Sequence, residues 1–546
     1  MAKTTIDLSG IGGLAPRWQG DRFSSVANWQ DRILGNSNMY ADGVVNPLSK
    51  YGYVTGAVNT FATITGALTQ VASATIVDTF NTDTNADAYI FDRGSSVWRL
   101  STLSDTSLED IIVTFGAEGT DLEIYTINGV KKLFFSYKLA GGGDIGISPL
   151  PYVDTSDDDW LSTAASGAFH TGATNNTRMI VADNGFMYVL DGSAVHKIDG
   201  TTDGGANGTA TANVLLFPAT FSLIDAIDLR GQMWIALMRT SRDIFAGTLN
   251  VAKYSEFTGV YIWDRQSTKV DMTDFITIEG VKEVRTIIGF RGIPWVFTVS
   301  ADGHTQLRKY TGTEFSIVCE LGLTDYPRYH DSVSVTDDFI IWTANNGNVF
   351  MYGKIDYSAQ DALYKIGDLT SATPDGETFQ FAGAMLPMGT QYSGTTGFEN
   401  EGISYYMSFE TDTSPYFYTR RWVPYMAYYE GNGQFPHAGN FKSMVKLLPK
   451  LSHVKSVTLF YPKTNTGSGS TEVLDVDLYF NQSRTSWGTK TLTRDDGVRG
   501  YKFISIGEPN VNSIQLGLTW KTNNGLTATI TPSYCEVEYE ETKKIK

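Results

Sequence analysis

Asp183-Asn-Gly-Phe-Met-Tyr-Val-Leu-Asp-Gly-Ser-Ala-Val-His-Lys-Ile-Asp-Gly200 decides the reading of the whole chain. Two short apolar runs, Phe186 to Leu190 and Ala194 to Ile198, are bounded by Asn184-Gly185, Asp191-Gly192 and Asp199-Gly200. Asn-Gly and Asp-Gly supply the positive-φ positions that tight hairpins need. About five residues fit between turns, the usual strand length, so the stretch reads as an antiparallel meander.

The same pattern recurs along the chain. Ala88-Tyr-Ile-Phe and Val97-Trp98-Arg-Leu100 flank a turn at Asp92–Ser95. Gly231-Gln-Met-Trp234 is answered by Gly259-Val-Tyr261-Ile-Trp263 after a longer loop. Trp295-Val-Phe-Thr-Val, a turn at Asp302-Gly303 and Gln306 to Tyr310 form another copy, and Phe339 to Trp342, Asn346-Gly347 and Val349 to Tyr352 another. Lys132 to Tyr137 behind Asn128-Gly129 is a degenerate one. Anchored on Tyr89, Phe134, Tyr188, Trp234, Trp295 and Trp342, the spacing is roughly 45 to 60 residues, the period of four-stranded propeller blades. The expected fold is mainly β: a β-propeller of about six blades with an extended N-terminal arm and a C-terminal β-sandwich. No Trp-Asp or kelch signature marks the copies, and a large β-sandwich is the competing architecture.

Composition supports an all-β chain. Of 546 residues 18% are charged, below the usual quarter, while 54 are Gly and 13% aromatic. Amphipathic helix signals are confined to Ser25–Leu34 and Ser358–Ile366. A net charge of −17 excludes a surface that grips nucleic acid by neutralising phosphates, though not an acidic passage through which it slides. Cys319 and Cys535 are too few and too far apart for a disulfide framework, so free buried thiols made in a reducing cytoplasm are expected. No secretory h-region opens the chain, and the apolar stretch Phe61–Val77 is too polar for a membrane span.

Four segments follow. Residues 1–55 are rich in Gly, Asn, Asp and Pro with interspersed aromatics, and read as an extended docking arm. The propeller takes 56–385, with the low-complexity insertion 201–211 as an exposed loop. Residues 386–440 form an aromatic-rich connecting segment, and 441–546 a β-sandwich. In the last, Leu474, Val476, Leu478 and Phe480 alternate inward against Asp475, Asp477 and Tyr479. The aromatics Trp18, Trp29, Tyr40, Tyr51 and Tyr53 of the arm, and Tyr416, Phe417, Tyr418, Trp422, Tyr425, Tyr428 and Tyr429 of the connecting segment, are candidates for a subunit or partner interface.

Gly12-Gly13-Leu14, Gly20-Asp21, Asn28-Trp29-Gln30, Asp42-Gly43-Val-Val-Asn46-Pro47 and Gly52-Tyr53 resemble the opening of tailed-bacteriophage structural proteins. The chain is most similar to the β-propeller nozzle or hub proteins of short-tailed phages. The resemblance covers the first 55 residues as local pattern and the remainder as architecture. It implies a virion tail protein without catalytic residues, assembled into a ring, six-fold by expectation. Such a ring lies below the portal and adaptor, meets tail fibres, conducts and retains DNA without specific binding, and is synthesised in the host cytoplasm. A head-surface or tail-attachment protein of the same fold is the near alternative.

Motifs for other chemistry are sparse. The six histidines are scattered, and no phosphate loop, nucleophile elbow, HExxH or paired CxxC occurs. No cofactor is expected beyond calcium at Asp83, Asn85 and Asp87, where Ala88 replaces the loop glycine and Gly94 the bidentate Glu; Asp154 and Asp157 to Asp159 are a second acidic cluster. The enzymatic alternative is a carbohydrate-binding or glycoside-hydrolase-like propeller acting as a receptor-binding tail protein, with two carboxylates facing a funnel. Phe290-Arg291-Gly292 and Cys319-Glu320 are similar to two invertase-like signatures, but Gly292 stands where that family has Asp. Asp225, Asp228, Asp264 and Glu320 remain as acids.

Overall fold

The computed structural model describes residues 118–139, 142–149, 178–200, 209–241, 254–337, 339–353, 361–372, 376–388, 404–412, 440–443, 445–461, 472–483, 485–520 and 534–541. It also describes the short strands 2–7, 13–14, 32–37, 40–41, 45–46, 51–53, 71–76, 88–92, 97–100, 109–112, 171–172 and 417–424, and the single positions 463 and 532. These residues are overwhelmingly strand, as expected, and include seven four-stranded antiparallel sheets against the six or so blades anticipated. Two compact units emerge, one of residues 55–348 and 369–421, the other of 1–54, 349–368 and 422–546.

In the first unit the sheets follow one another in sequence. Phe186–Asp191 and Ala194–Asp199 are the centre of one, paired Tyr188↔Lys197 and Val189↔His196 and flanked by Arg178–Val181 and Thr209–Leu216. Gly185 and Gly192 take φ of 81° and 61°, as the turn chemistry requires. Gly200 is glycine for another reason: a Cβ there would lie 2.6 Å from the Thr126 carbonyl oxygen of the preceding sheet. The Tyr125 hydroxyl closes the same junction, accepting from Gly200 N at 2.8 Å and donating to Gly185 O at 2.8 Å.

The first strands of successive sheets adjoin one another. Val71–Ile76 lies against Glu118–Ile127, then come Arg178–Val181, Phe221–Leu229, Val281–Phe290, Val333–Val335 and Phe379–Met388, and the last returns to Val71–Ile76. Between neighbouring sheets the strands bury continuous cores. Tyr188 meets Trp263 edge-on at 5.4 Å within a cluster that holds Leu190, Leu215, Phe217, Leu237 and Tyr261. Each large side chain so buried contributes about 2–3 kcal/mol of transfer free energy.

Two turns use arginine where the sequence gives no hairpin signal: Arg230 and Arg291 adopt φ of 53° and 51°, each followed by a positive-φ glycine. The helix expected at Ser25–Leu34 overlaps a strand, Arg32–Ser37, and that at Ser358–Ile366 overlaps the strand Ala362–Asp368. Strand pairing overrides weak local helix propensity at both. The connecting segment 386–440, expected to break the period, supplies the strands Ser404–Thr411 and Phe417–Pro424.

The second unit is built on a nine-stranded sheet. Tyr501–Trp520 pairs with Lys446–Phe460 through its first part and with Glu472–Phe480 through its last. Ala2–Asp7, part of the anticipated arm, runs antiparallel to Tyr534–Glu541, with Ile6 buried opposite Cys535. Leu474, Val476, Leu478 and Phe480 are buried, as their alternation predicts. Tyr479, expected outward, is buried on the other face, where Gly517 leaves room for its ring. Cys319 and Cys535 are buried free thiols, and burial pushes the Cys535 thiol far up. Among the described residues no helix is long and apolar enough to cross a membrane.

Candidate functional site

Polar residues enter the first unit through its first strands, and β-bulges admit them. Pairing slips between Gly119 and Asp121, between Leu223 and Asp225, and between Val284 and Thr286. One extra residue (Thr120, Ile224, Arg285) breaks the alternation each time and turns the next side chain inward. Asp121, Asp225 and Thr286 are consequently buried at 2%, 2% and 1% exposure.

The two aspartates perform the same task one after the other. Asp121 Oδ2 accepts from Met179 N, on the first strand of the following sheet, at 2.7 Å. Its Oδ1 accepts from Leu122 N at 3.0 Å and from Arg178 at 2.7 Å. Asp225 Oδ2 accepts from Ile287 N at 2.9 Å, again on the following sheet, and from the Thr286 hydroxyl. Its Oδ1 takes Ala226 N at 2.9 Å and Arg178 Nε at 3.3 Å. His330 Nδ1 lies 2.7 Å from Asp225 Oδ2, which requires that nitrogen to carry the proton. Arg178 is thus the bridge between two buried carboxylates contributed by different sheets.

Electrostatics follow from this wiring. Burial raises the Asp121 pKa, with the Arg178 charge as the main opposing influence. Burial also works against the charge of Asp225, but His330 and Arg178 outweigh it and hold the carboxyl below its usual range. Burial disfavours the Arg178 charge as well; Asp121, Asp331, Asp225 and Glu123 together keep the guanidinium firmly protonated. Glu123, two residues beyond Asp121 and partly exposed, has its carboxyl pushed up to about 7, chiefly by burial and further by Asp121, against the pull of Arg178. Asp331, also partly exposed, adds its charge to the same field.

The chemical division is clear. Asp121 and Asp225 have their oxygens committed to backbone, arginine and histidine, and therefore position. Glu123 is partly open and, with its carboxyl pushed up to about 7, is still protonated in part near neutrality, as a proton donor must be. The Arg178 side chain is 15% and the His330 side chain 24% exposed, so neither is fully sealed from solvent.

Of the sequence-predicted acids, Asp225 alone belongs to this cluster. Asp228, on the same strand, pairs with Arg265 at 3.0 Å and accepts from Asp183 N. Asp264 is a turn residue: it accepts from Gln266 N at 2.9 Å and Ser267 N at 2.7 Å, bonds that lower its pKa. Glu320 is buried in another sheet, beside Gln306. Asp121, Glu123, Arg178, His330 and Asp331 were not singled out as site residues; Asp225 stands out as an acid between Leu223-Ile224 and Ala226-Ile227, whereas Asp121, in a strand that also holds Glu118, Thr120 and Glu123, carries no such signal. Tyr40, Tyr51, Tyr53, Phe417, Tyr418 and Trp422 lie on described strands, with Trp422 paired to Tyr53 and Pro424 to Tyr51. Trp18, Trp29, Tyr416, Tyr425, Tyr428 and Tyr429, the calcium candidates Asp83, Asn85 and Asp87, and the acidic cluster 154–159 fall outside the described residues.

No family model matches the sequence, and no curated protein does. Among solved structures the chain is similar to an exo-β-1,3-galactanase from Phanerochaete chrysosporium with galactose, at 10% identity and TM-score 0.30 over 88% of this chain and 100% of that one. A variant of the same enzyme with β-1,3-galactotriose gives 9% identity and TM-score 0.31, over 88% and 99%. A chain of the mitotic checkpoint complex gives 11% and 0.36, over 66% and 93%. Two of the three are galactanases, a finding that runs against the expectation that the chain is no enzyme. At these TM-scores the likeness carries nothing about substrate or reaction; the side chains have to.

Proposed function

We propose that the seven adjoining first strands are the inner ring of a closed β-propeller and carry a glycan-binding, glycoside-hydrolysing site. The ring of adjoining first strands supports the closure, and the convergence of Glu123 and Arg178, from two sheets, with His330 and Asp331 of the short 3-10 helix His330–Ser332 carries the site. In this reading Glu123 donates its proton to the glycosidic oxygen as the bond to the anomeric carbon breaks. Asp331 supplies the second carboxylate and takes a proton from the attacking water, so that one water is consumed per bond cleaved. Arg178 and His330 hydrogen-bond sugar hydroxyls, while Asp121 and Asp225 hold them in place.

The test is release of reducing ends from a panel of β-linked oligosaccharides and surface polysaccharides. Wild type should turn over at least one of them, with activity falling as pH rises through about 7, as Glu123 loses its proton. Glu123→Gln and Asp331→Asn should each lose at least ~100-fold in kcat while still binding the glycan. A chain that neither binds nor cleaves any of the panel, or a Glu123→Gln variant as active as wild type, refutes the assignment.

A second reading, the ring-forming tail subunit of a short-tailed phage, has one observation in its favour and is compatible with catalysis. In the second unit Tyr534, Phe460 and Tyr501 occupy paired positions on three adjacent strands, Phe460 stacking on Tyr534 at 4.5 Å, with Phe503 two residues on. Tyr501 and Phe503 are 52% and 57% exposed, an apolar strip of the kind that subunit contacts cover. Electron microscopy of the purified protein should then show rings; a strict monomer at high concentration excludes this reading.

A further inference from the structure

A second cluster lies in the sheet Val281–Phe290, Ile293–Ser300, Thr305–Tyr310 and Phe315–Glu320. Where the second strand turns into the third, Gly303 takes φ of 93° and the turn is closed by Gly303 N to Ser300 O at 2.9 Å and Ser300 N to His304 O at 2.8 Å. The Ser300 hydroxyl braces this turn, accepting from His304 N at 2.9 Å and bonding Asp302 Oδ1. Asp302 and His304 are thereby held side by side, His304 Nδ1 lying 3.2 Å from Asp302 Oδ2. Glu320, ending the fourth strand, pairs in register with Gln306 and brings its carboxylate to the same place. One oxygen of each carboxylate and one ring nitrogen all lie within 4.8 Å of one another.

Glu320 is the informative member. It is 1% exposed, and its two oxygens are unequal. Oε2 accepts from Gln306 Nε2 at 3.1 Å, whereas Oε1 is buried with no hydrogen-bond partner. A bare carboxylate oxygen in the protein interior costs its full desolvation penalty. The arrangement is moreover maintained from behind. Arg308 donates to Gln306 Oε1 from both Nε (2.9 Å) and Nη2 (2.6 Å), which leaves Gln306 only its amide nitrogen to offer Glu320. Burial raises the Glu320 pKa, opposed by that same amide. A side chain oriented by two further residues, with one oxygen left over, has the form of a ligand awaiting a cation.

We propose that Asp302, His304 and Glu320 form a binding site for one divalent first-row cation of the zinc class. One imidazole and two carboxylates make a mixed nitrogen–oxygen set that suits Zn²⁺ or Mn²⁺ better than an all-oxygen cation such as Ca²⁺. Glu320 forms the floor, the His304 side chain at 26% exposure the wall and Asp302 at 57% the rim, so the remaining coordination positions open to solvent. The cation would clip the turn at residues 301–304 to the far strand of its own sheet. Its role is independent of the glycan site.

The experiment uses the full chain, stripped with EDTA and titrated calorimetrically with ZnCl2, MnCl2 and CaCl2. Zn²⁺ should bind one equivalent saturably, more tightly than Ca²⁺, and at a hundredfold excess over Kd raise the thermal midpoint by several degrees. His304→Ala and Glu320→Gln should each weaken Zn²⁺ at least about tenfold, and the exposed Asp302→Ala less. In EDTA, Glu320→Gln should melt no lower than wild type, because it replaces a carboxylate whose second oxygen is bare; that keeps loss of binding separate from loss of fold. Absence of saturable binding up to millimolar Zn²⁺, or unchanged affinity in His304→Ala, overturns the site. Tighter binding of Ca²⁺ than Zn²⁺ overturns the assigned class.

Discussion

Two nine-residue strands, Phe221–Leu229 in the first unit and Glu472–Phe480 in the second, show how one sequence grammar gives two outcomes. In Glu472–Phe480 the pairing with Tyr501–Trp520 runs without a slip from Leu474 to Phe480, and Leu474, Val476, Leu478 and Phe480 enter the core while Asp475 and Asp477 stay partly exposed. There the aspartates accept from neighbouring threonines, Asp475 from Thr491 at 2.6 Å and Asp477 from Thr489. In Phe221–Leu229 the slip at Ile224 changes the phase, so Asp225, Ala226 and Ile227 are all buried. A single extra residue therefore separates a solvated aspartate from one that anchors a charge network. The hydrocarbon-faced strand stores stability as packing; the bulged strand stores it as compensated charge.

This contrast can be broken by substitution. The largest effect is expected for Arg178→Met, which leaves Asp121 and Asp225 buried without their common cation. Removing one partner of a buried ionic group costs about 3–5 kcal/mol, measured by urea denaturation. The loss should shrink toward acid pH, where the two carboxyls can take up protons; a deficit independent of pH would mean that Arg178 acts by packing alone. Leu478→Ala, in the alternating strand, should cost about 2–4 kcal/mol at every pH, because a cavity does not titrate. Should the two variants show the same pH dependence, the distinction between the strands fails.

The smallest effect has the opposite sign. Glu123 has a native pKa of about 7 against an ordinary value of 4.5. The folded state thus holds this proton more tightly than the unfolded one, and stability falls as pH rises from about 4.5 through about 7. Glu123→Gln removes that loss. At pH 8 it should be more stable than wild type by on the order of 1–2 kcal/mol, after allowance for partial solvent exposure, and equal to it near pH 4. Stabilisation with loss of turnover is the signature of a residue kept for chemistry. Stabilisation alone would reduce Glu123 to a buried acid.

Much of the fold was legible because it is local. Asn128-Gly129 takes φ of 50° and 80°, and the strands on either side follow from it. Other turns were hidden because side-chain type does not announce them. Arg230 and Arg291 are left-handed, and Arg291 is kept so by the chain around it, its Nε donating to Asp337 O at 3.2 Å. The acids illustrate the same limit. Asp225 was visible as an acid, yet its partners Arg178, Thr286 and His330 lie 47, 61 and 105 residues away.

By itself the sequence determined the strand-and-turn alphabet, the inward face of Leu474, Val476, Leu478 and Phe480, and the free thiols. Hydrophobic period and turn chemistry act over a few residues, and no distant partner is needed to read them. Only the tertiary structure decided which acids meet. Bulges at Thr120, Ile224 and Arg285 reset the phase of three strands, and the succession of sheets sets residues from different strands at hydrogen-bonding distance. Register across sheets is a property of the assembled chain, and it is register that made Asp121, Arg178 and Asp225 one network and Asp302, His304 and Glu320 another.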